Sequence, residues 1–193
     1  MSSKIIRPQD WQRQIWKNGQ GMTNQLLIEE DALGIIWRVS IAEVKQDGPF
    51  SIFAGFERVI ALLDGDGFTM NFDGGGSHTL NSRFQDFRFA GDSQIHCQLL
   101  GNSSRDFNLM TRRDKVNARF RTIQLAAGEA YQQQFSSRCV VFVAAGASII
   151  SFAEQNHQLV SENGLVCYDE TGKFELLATM SSTIFVIKID FIV

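Results

Sequence analysis

Glycine-rich breaks interrupt this chain about every ten residues, with short β-branched and aromatic runs between them. "IIWRVSIAEV", "RVIALLDG", "GFTMNF", "IHCQLL", "FNLMT", "RFRTIQL", "LVCYD" and "TIFVIKI" are of this kind. No segment sustains the helical apolar period of about 3.6. Such a pattern predicts an all-β sandwich or barrel. The one helical signal is a short turn over residues 8–14, opened by Pro8 at a first helical position. "VVFVAAGASII" is too short to span a bilayer and predicts two strands around Gly146.

At 193 residues the chain is long enough to bury a core without help from a disulfide or a metal. Cys97, Cys139 and Cys167 are odd in number and form no CxxC pair, so they read as buried free thiols in a reducing compartment. Net charge is −3 with no run of lysine or arginine, which excludes a nucleic-acid surface. The stretch "MSSKIIRPQDWQRQ" lacks the apolar core of a signal peptide. The expectation is a cytoplasmic protein without a membrane partner.

An internal repeat is visible. "FERVIALLDGDGFTMNF" at residues 56–72 and "SRCVVFVAAGASIISF" at 137–152 each carry an arginine, an apolar strand, a glycine turn and a second strand ending in phenylalanine. A histidine follows each, His78 and His157, and an aromatic stands eleven positions later, Phe89 and Tyr168. The repeat predicts two small β-barrels or sandwiches, with a seam near "TRRDKVNARFRTIQL".

Polar residues inside apolar runs need a reason. In "IIWRVSIAEV", Trp37, Val39 and Ile41 share one face, while Arg38, Ser40 and Ala42 share the other. In "RDFNLMTRR", Asp106, Asn108, Met110 and Arg112 share a face. If these strands neighbour "RVIALLDG", then Arg38, Arg58, Asn108 and Arg112 converge, a set able to grip a carboxylate bidentately. The alternatives are a surface position for Arg38 or its pairing with Asp47 or Asp106, and an internal arginine–aspartate network through Asp106 that braces the barrel. "WKNGQGMTNQ" predicts a tight turn at Asn18-Gly19. Its amide and hydroxyl, Asn18 and Thr23, are left over for an anion-holding lip. Trp37 and the phenylalanines are expected as apolar walls. His78, His96 and His157 stand apart with no HxH or HxxxH spacing, so no metal site and no cofactor are expected.

"WKNGQGMT", "WRVSIA", "DGPFSIFAGFER" and "DFNLMTR", in this order, resemble the HutD/Ves family of bacterial proteins. The family pattern differs at three places: an acidic residue where Gln25 stands, often a glycine at Gln20, and a proline at Ala54. The resemblance implies a bicupin, two jelly-roll-like β-barrels in one chain. Residues 1–115 would form the barrel with the ligand pocket, and 116–193 a structural or dimerising barrel, with strands exchanged between the two allowed.

It also implies a link to histidine utilisation or stress response, through binding of a pathway carboxylate such as urocanate or N-formylglutamate. The reading is a metal-free protein that binds a small organic acid through Asn18, Thr23, Arg38, Ser40, Arg58, Asn108 and Arg112. A homodimer is the other partner considered. The alternatives are a metal-independent cupin enzyme, an isomerase or lyase acting on a carboxylic acid, and a protein-interaction module.

Overall fold

The structure is a computed structural model that describes residues 2–16 and 21–192. In chain order the strands are β1 (Ser2–Ile6), β2 (Gln12–Ile15), β3 (Gly21–Asp31), β4 (Gly34–Val44), β5 (Gly48–Pro49), β6 (Phe56–Asp64), β7 (Phe68–Phe72), β8 (Ser77–Leu80) and β9 (Asp86–Ala90). They continue with β10 (Ile95–Leu99), β11 (Ser104–Arg112), β12 (Val116–Leu125), β13 (Ala130–Ala145), β14 (Ala147–Phe152), β15 (Gln155–Val160), β16 (Gly164–Ala178) and β17 (Ser182–Phe191). The expected helical turn is shorter than its sequence signal: a single 3-10 turn covers Pro8–Asp10, and Gln12–Ile15 is already strand. No helix is long and apolar enough to cross a membrane among the described residues.

The chain divides into two units, Trp11–Val116 and Met1–Asp10 with Asn117–Val193. The sequence reading assigns the first ten residues to the amino-terminal half. They go elsewhere: β1 pairs antiparallel with β16, from Ser2 opposite Tyr168 to Ile6 opposite Gly164.

In the unit Trp11–Val116 one sheet has the order β2-β3-β4-β11-β6-β9 and a second has β5-β10-β7-β8. The run "VIALL" of β6 is buried throughout, as a continuous apolar strand requires. Ile60 and Leu62 from the first sheet meet Phe68, Met70, Leu80 and Ile95 from the second, forming this unit's core. Gly21 opens β3 where nothing larger fits, since a Cβ there would lie 2.4 Å from the Glu43 carbonyl oxygen.

The other unit is one sheet, β12-β17-β13-β16-β14-β15, with β1 beside β16. β13 and β16 are long, 16 and 15 residues, and β16 pairs with β13 along both its halves. The sheet curls around Cys139, Val141, Val143, Ile150, Leu165, Phe174 and Val186.

Both units repeat one pairing pattern. β6 pairs with β9 and β11, and β13 with β16 and β17. β7 pairs with β8, placing His78 opposite Met70, and β14 pairs with β15, placing His157 opposite Ile150. The turn after β6 is braced by Ser104, whose hydroxyl oxygen accepts from the Gly67 N–H at 2.8 Å. The turn after β13 is braced by Ser182, which accepts from Ala147 N–H at 3.0 Å. A β-bulge recurs as well, at Leu63 of β6 in one unit and at Ala144 of β13 in the other.

Aligning Gly65 with Gly146 and Ser104 with Ser182 refines the repeat. Arg58 then matches Cys139, not Arg138, and Asp106 and Asn108 match Ile184 and Val186.

Candidate functional site

The antiparallel registers of β4, β11 and β6 set the site out in rows. Met110 of β11 lies between Arg38 of β4 and Arg58 of β6. One step along, Asn108 lies between Ser40 and Ile60, and a further step puts Asp106 between Ala42 and Leu62. Strand periodicity of two turns these side chains to one face. All of them but Met110 and Leu62 line a cavity of about 420 Å³, closed on other sides by Trp16, Thr23, Val44, Pro49, Phe50, Ser51 and Phe53. Its volume is that of a small-molecule site.

Two guanidinium groups meet in this cavity without an acid to neutralise them at contact range. Among the described residues, neither Arg38 nor Arg58 has a carboxylate within ion-pair distance. Aromatic faces take that place. Arg58 lies 4.9 Å from the Phe89 ring centroid, 5.5 Å from Phe53 and 5.7 Å from Phe50. Arg38 lies 5.5 Å from the same Phe53 ring and donates from Nη2 to the Met110 sulfur at 3.1 Å. Cation–π contact and a thioether are weak substitutes for a carboxylate.

The electrostatic cost shows in the titration of the site. Arg58 is 6% exposed, and burial pulls its pKa down to about 10, with the field of Asp106 opposing and that of Arg38 assisting. Burial lowers Arg38 too. Asp106 is 1% exposed, and burial pushes its carboxyl up to about 7 despite the pull of Arg58. Four buried polar atoms here have no hydrogen-bond partner among the described residues: Arg38 Nε, Arg58 Nε, Asp106 Oδ1 and Asn108 Oδ1.

Of the residues expected to bind, Thr23, Arg38, Ser40, Arg58 and Asn108 all line this cavity. Thr23 Oγ1 accepts from Trp16 Nε1 at 2.8 Å and keeps its own proton to donate. Asn18 lies outside the described residues, and so does the turn centre at Gly19; the hairpin closes on either side of them, where Trp16 N–H donates to Gly21 O at 3.0 Å.

Arg112 is a correction. It continues the alternation of Asp106, Asn108 and Met110, but at the end of β11, where Asp31 takes its Nη2 at 2.7 Å and Asp114 lies 3.3 Å from its Nε. It is absent from the cavity lining. Trp37 is another correction: it is buried on the opposite face of β4 and donates from Nε1 to Glu29 Oε2 at 2.9 Å. Trp16 supplies the indole wall instead. Asp47 does not pair with Arg38; its carboxylate accepts from the Leu99 N–H at 2.8 Å.

Reading the residues alone missed the importance of Asp106 as a cavity group, although the strand alternation that selected Asn108 also selects it. Phe50, Ser51 and Phe53 come from an irregular segment where no periodicity signals a wall. The histidines do not gather: His78 stacks on Phe87 with ring centroids 3.7 Å apart, and His157 Nε2 lies 3.4 Å from Ser3 Oγ. No group of three metal-ligating side chains forms among the described residues.

Fold and cavity together define an all-β protein of cupin-like fold. That fold is shared with a cupin 2 conserved barrel domain protein from Leptotrichia buccalis, at a TM-score of 0.63 and 8% identity over 93% of this chain and 96% of the other. The family model described as HutD matches residues 8–186, and the chain belongs to that family.

A 21.2 kDa protein in the hutC 3′ region of Pseudomonas putida is 37% identical over 177 residues, 90% of each chain. Two solved structures are similar over the full length of both chains. The conserved protein PA5104 of Pseudomonas aeruginosa PAO1 has a TM-score of 0.89 at 32% identity, and HutD from Pseudomonas fluorescens SBW25, in a formate condition, has 0.85 at 26%. The family is linked to histidine utilisation.

Proposed function

We propose that the protein binds a small organic carboxylate in the unit Trp11–Val116 and acts as a modulator of histidine utilisation, with urocanate and N-formylglutamate as the candidate ligands. The observation that carries this reading is the pair Arg38 and Arg58, converging on one cavity of about 420 Å³ with no carboxylate at ion-pair distance among the described residues. A ligand carboxylate would satisfy the free guanidinium donors in a water-poor setting, where charge-assisted bonds are strong. The phenylalanine and indole walls would cover its apolar part.

Each unit on this reading is a cupin-type barrel, a bicupin in sum. The second unit would be structural or dimerising, because Cys139, Ile184 and Val186 stand where the first has Arg58, Asp106 and Asn108.

The test is calorimetric titration of the protein with urocanate and with N-formylglutamate. Saturable binding that disappears in Arg58→Leu is expected. No heat and no thermal shift at millimolar concentrations, in folded protein, would overturn it.

Asp106 favours a second reading, a metal-independent isomerase or lyase. A carboxyl that burial pushes up to about 7, against the pull of Arg58, has the pKa a general acid–base group needs. Turnover of a carboxylic acid that is lost in Asp106→Asn while binding persists would establish it.

A further inference from the structure

The three rows along β11 differ in chemistry. The first is cationic (Arg38, Arg58), the second carries the Asn108 amide, and the third ends in the Asp106 carboxyl. At about 3.3 Å per residue, the first and third rows are roughly 13 Å apart along the strand.

The far end of that span is short of donors. Asp106 Oδ1 and Asn108 Oδ1 are buried acceptors with no partner among the described residues. Buried acceptors in native proteins are satisfied by some partner, so these two describe the ligand's missing half.

We infer that the cavity selects carboxylates carrying an N–H or O–H donor at the end remote from the acid group, with Asp106 receiving that donor. This deepens the carboxylate reading above and rests on it. The arginines hold one end and set affinity for any short acid. Asp106 and Asn108 set the choice among acids, because a ligand with a methyl at the far end leaves both acceptors desolvated and unpaired.

The experiment compares 5-hydroxypentanoate with hexanoate, acids of equal chain length in which a hydroxyl replaces a methyl, by calorimetric titration of the full chain. The expected result is a preference of about tenfold or more for the hydroxy acid. In Asp106→Leu that preference falls to about one, with hexanoate still bound. Equal binding of the two acids by the unsubstituted protein overturns this inference and leaves the carboxylate reading standing. Binding of neither overturns both. The unsubstituted comparison stands by itself if Asp106→Leu fails to fold.

Discussion

Replacing Asp106 by asparagine should make the protein more stable as the pH rises, which inverts the usual effect of deleting a buried charge near an arginine. In the unfolded chain this carboxyl ionises near 3.8, whereas in the fold burial holds it at about 7. Below about pH 3.8 it is protonated in both states and contributes nothing to pH dependence. Between about 3.8 and about 7 the unfolded chain gives up the proton and the folded one keeps it, so stability falls by about 1.4 kcal/mol per pH unit.

Above about 7 both states are ionised and the penalty is constant, on the order of 4 kcal/mol. Asparagine keeps the shape and removes the titration. The stability of Asp106→Asn relative to the parent should therefore rise by about 2–3 kcal/mol from pH 5 to pH 8. Urea unfolding at matched pH values reads this directly, and in melting temperature it corresponds to roughly 5–10 °C. All other titrating groups are common to both proteins and cancel in the difference. Parallel stability curves across that range would mean that Asp106 ionises like a solvated carboxylate, and the description of Asp106 as a desolvated group of the cavity would fail.

Three further outcomes follow from the contacts. Arg112→Ala should leave carboxylate affinity within about twofold in a calorimetric titration, because its guanidinium is committed to Asp31 and Asp114 outside the cavity. Ser104→Ala removes the buried acceptor of the Gly67 N–H and should cost about 1–3 kcal/mol in urea unfolding, and Ser182→Ala should cost a similar amount through Ala147. Burial pushes the Cys97 and Cys167 thiols up to about 12 and Cys139 well above its ordinary value, so a thiol reagent at pH 8 should find none of the three until denaturant is added.

Much of the site could be read from alternation alone. "WRVSIA" separates Arg38 and Ser40 from Trp37 and Val39, and the structure keeps that separation, with Arg38 and Ser40 lining the cavity. Alternation states which residues share a face, though not which face is concave, and this is why Trp37 was expected as a wall of a cavity it turns away from. Arg112 obeys the same rule but lies one step past the cavity, within reach of Asp31 on a strand far away in sequence.

The repeat was legible through its glycine turns and histidines, while its arginines misled. The stretch from Gly65 to Phe72 is one residue longer than that from Gly146 to Phe152, and this offset brings Arg138 beside Arg58 in the letters while Cys139 matches it in the pairing. Phe50 and Phe53 come from a segment without strand periodicity, so only the folded chain places them over the guanidinium groups.

The extra residue Leu63, which bulges β6 opposite Arg105 and Asp106, acts as a latch. A strand free to creep four places along its neighbours would carry the carboxyl to the level of the arginines, and acid and base would quench one another. Because the bulge in β6 fixes where β11 pairs with it, the opposite charges stay separated along the strand. The protein thus arrives at its ligand with its charges still unspent.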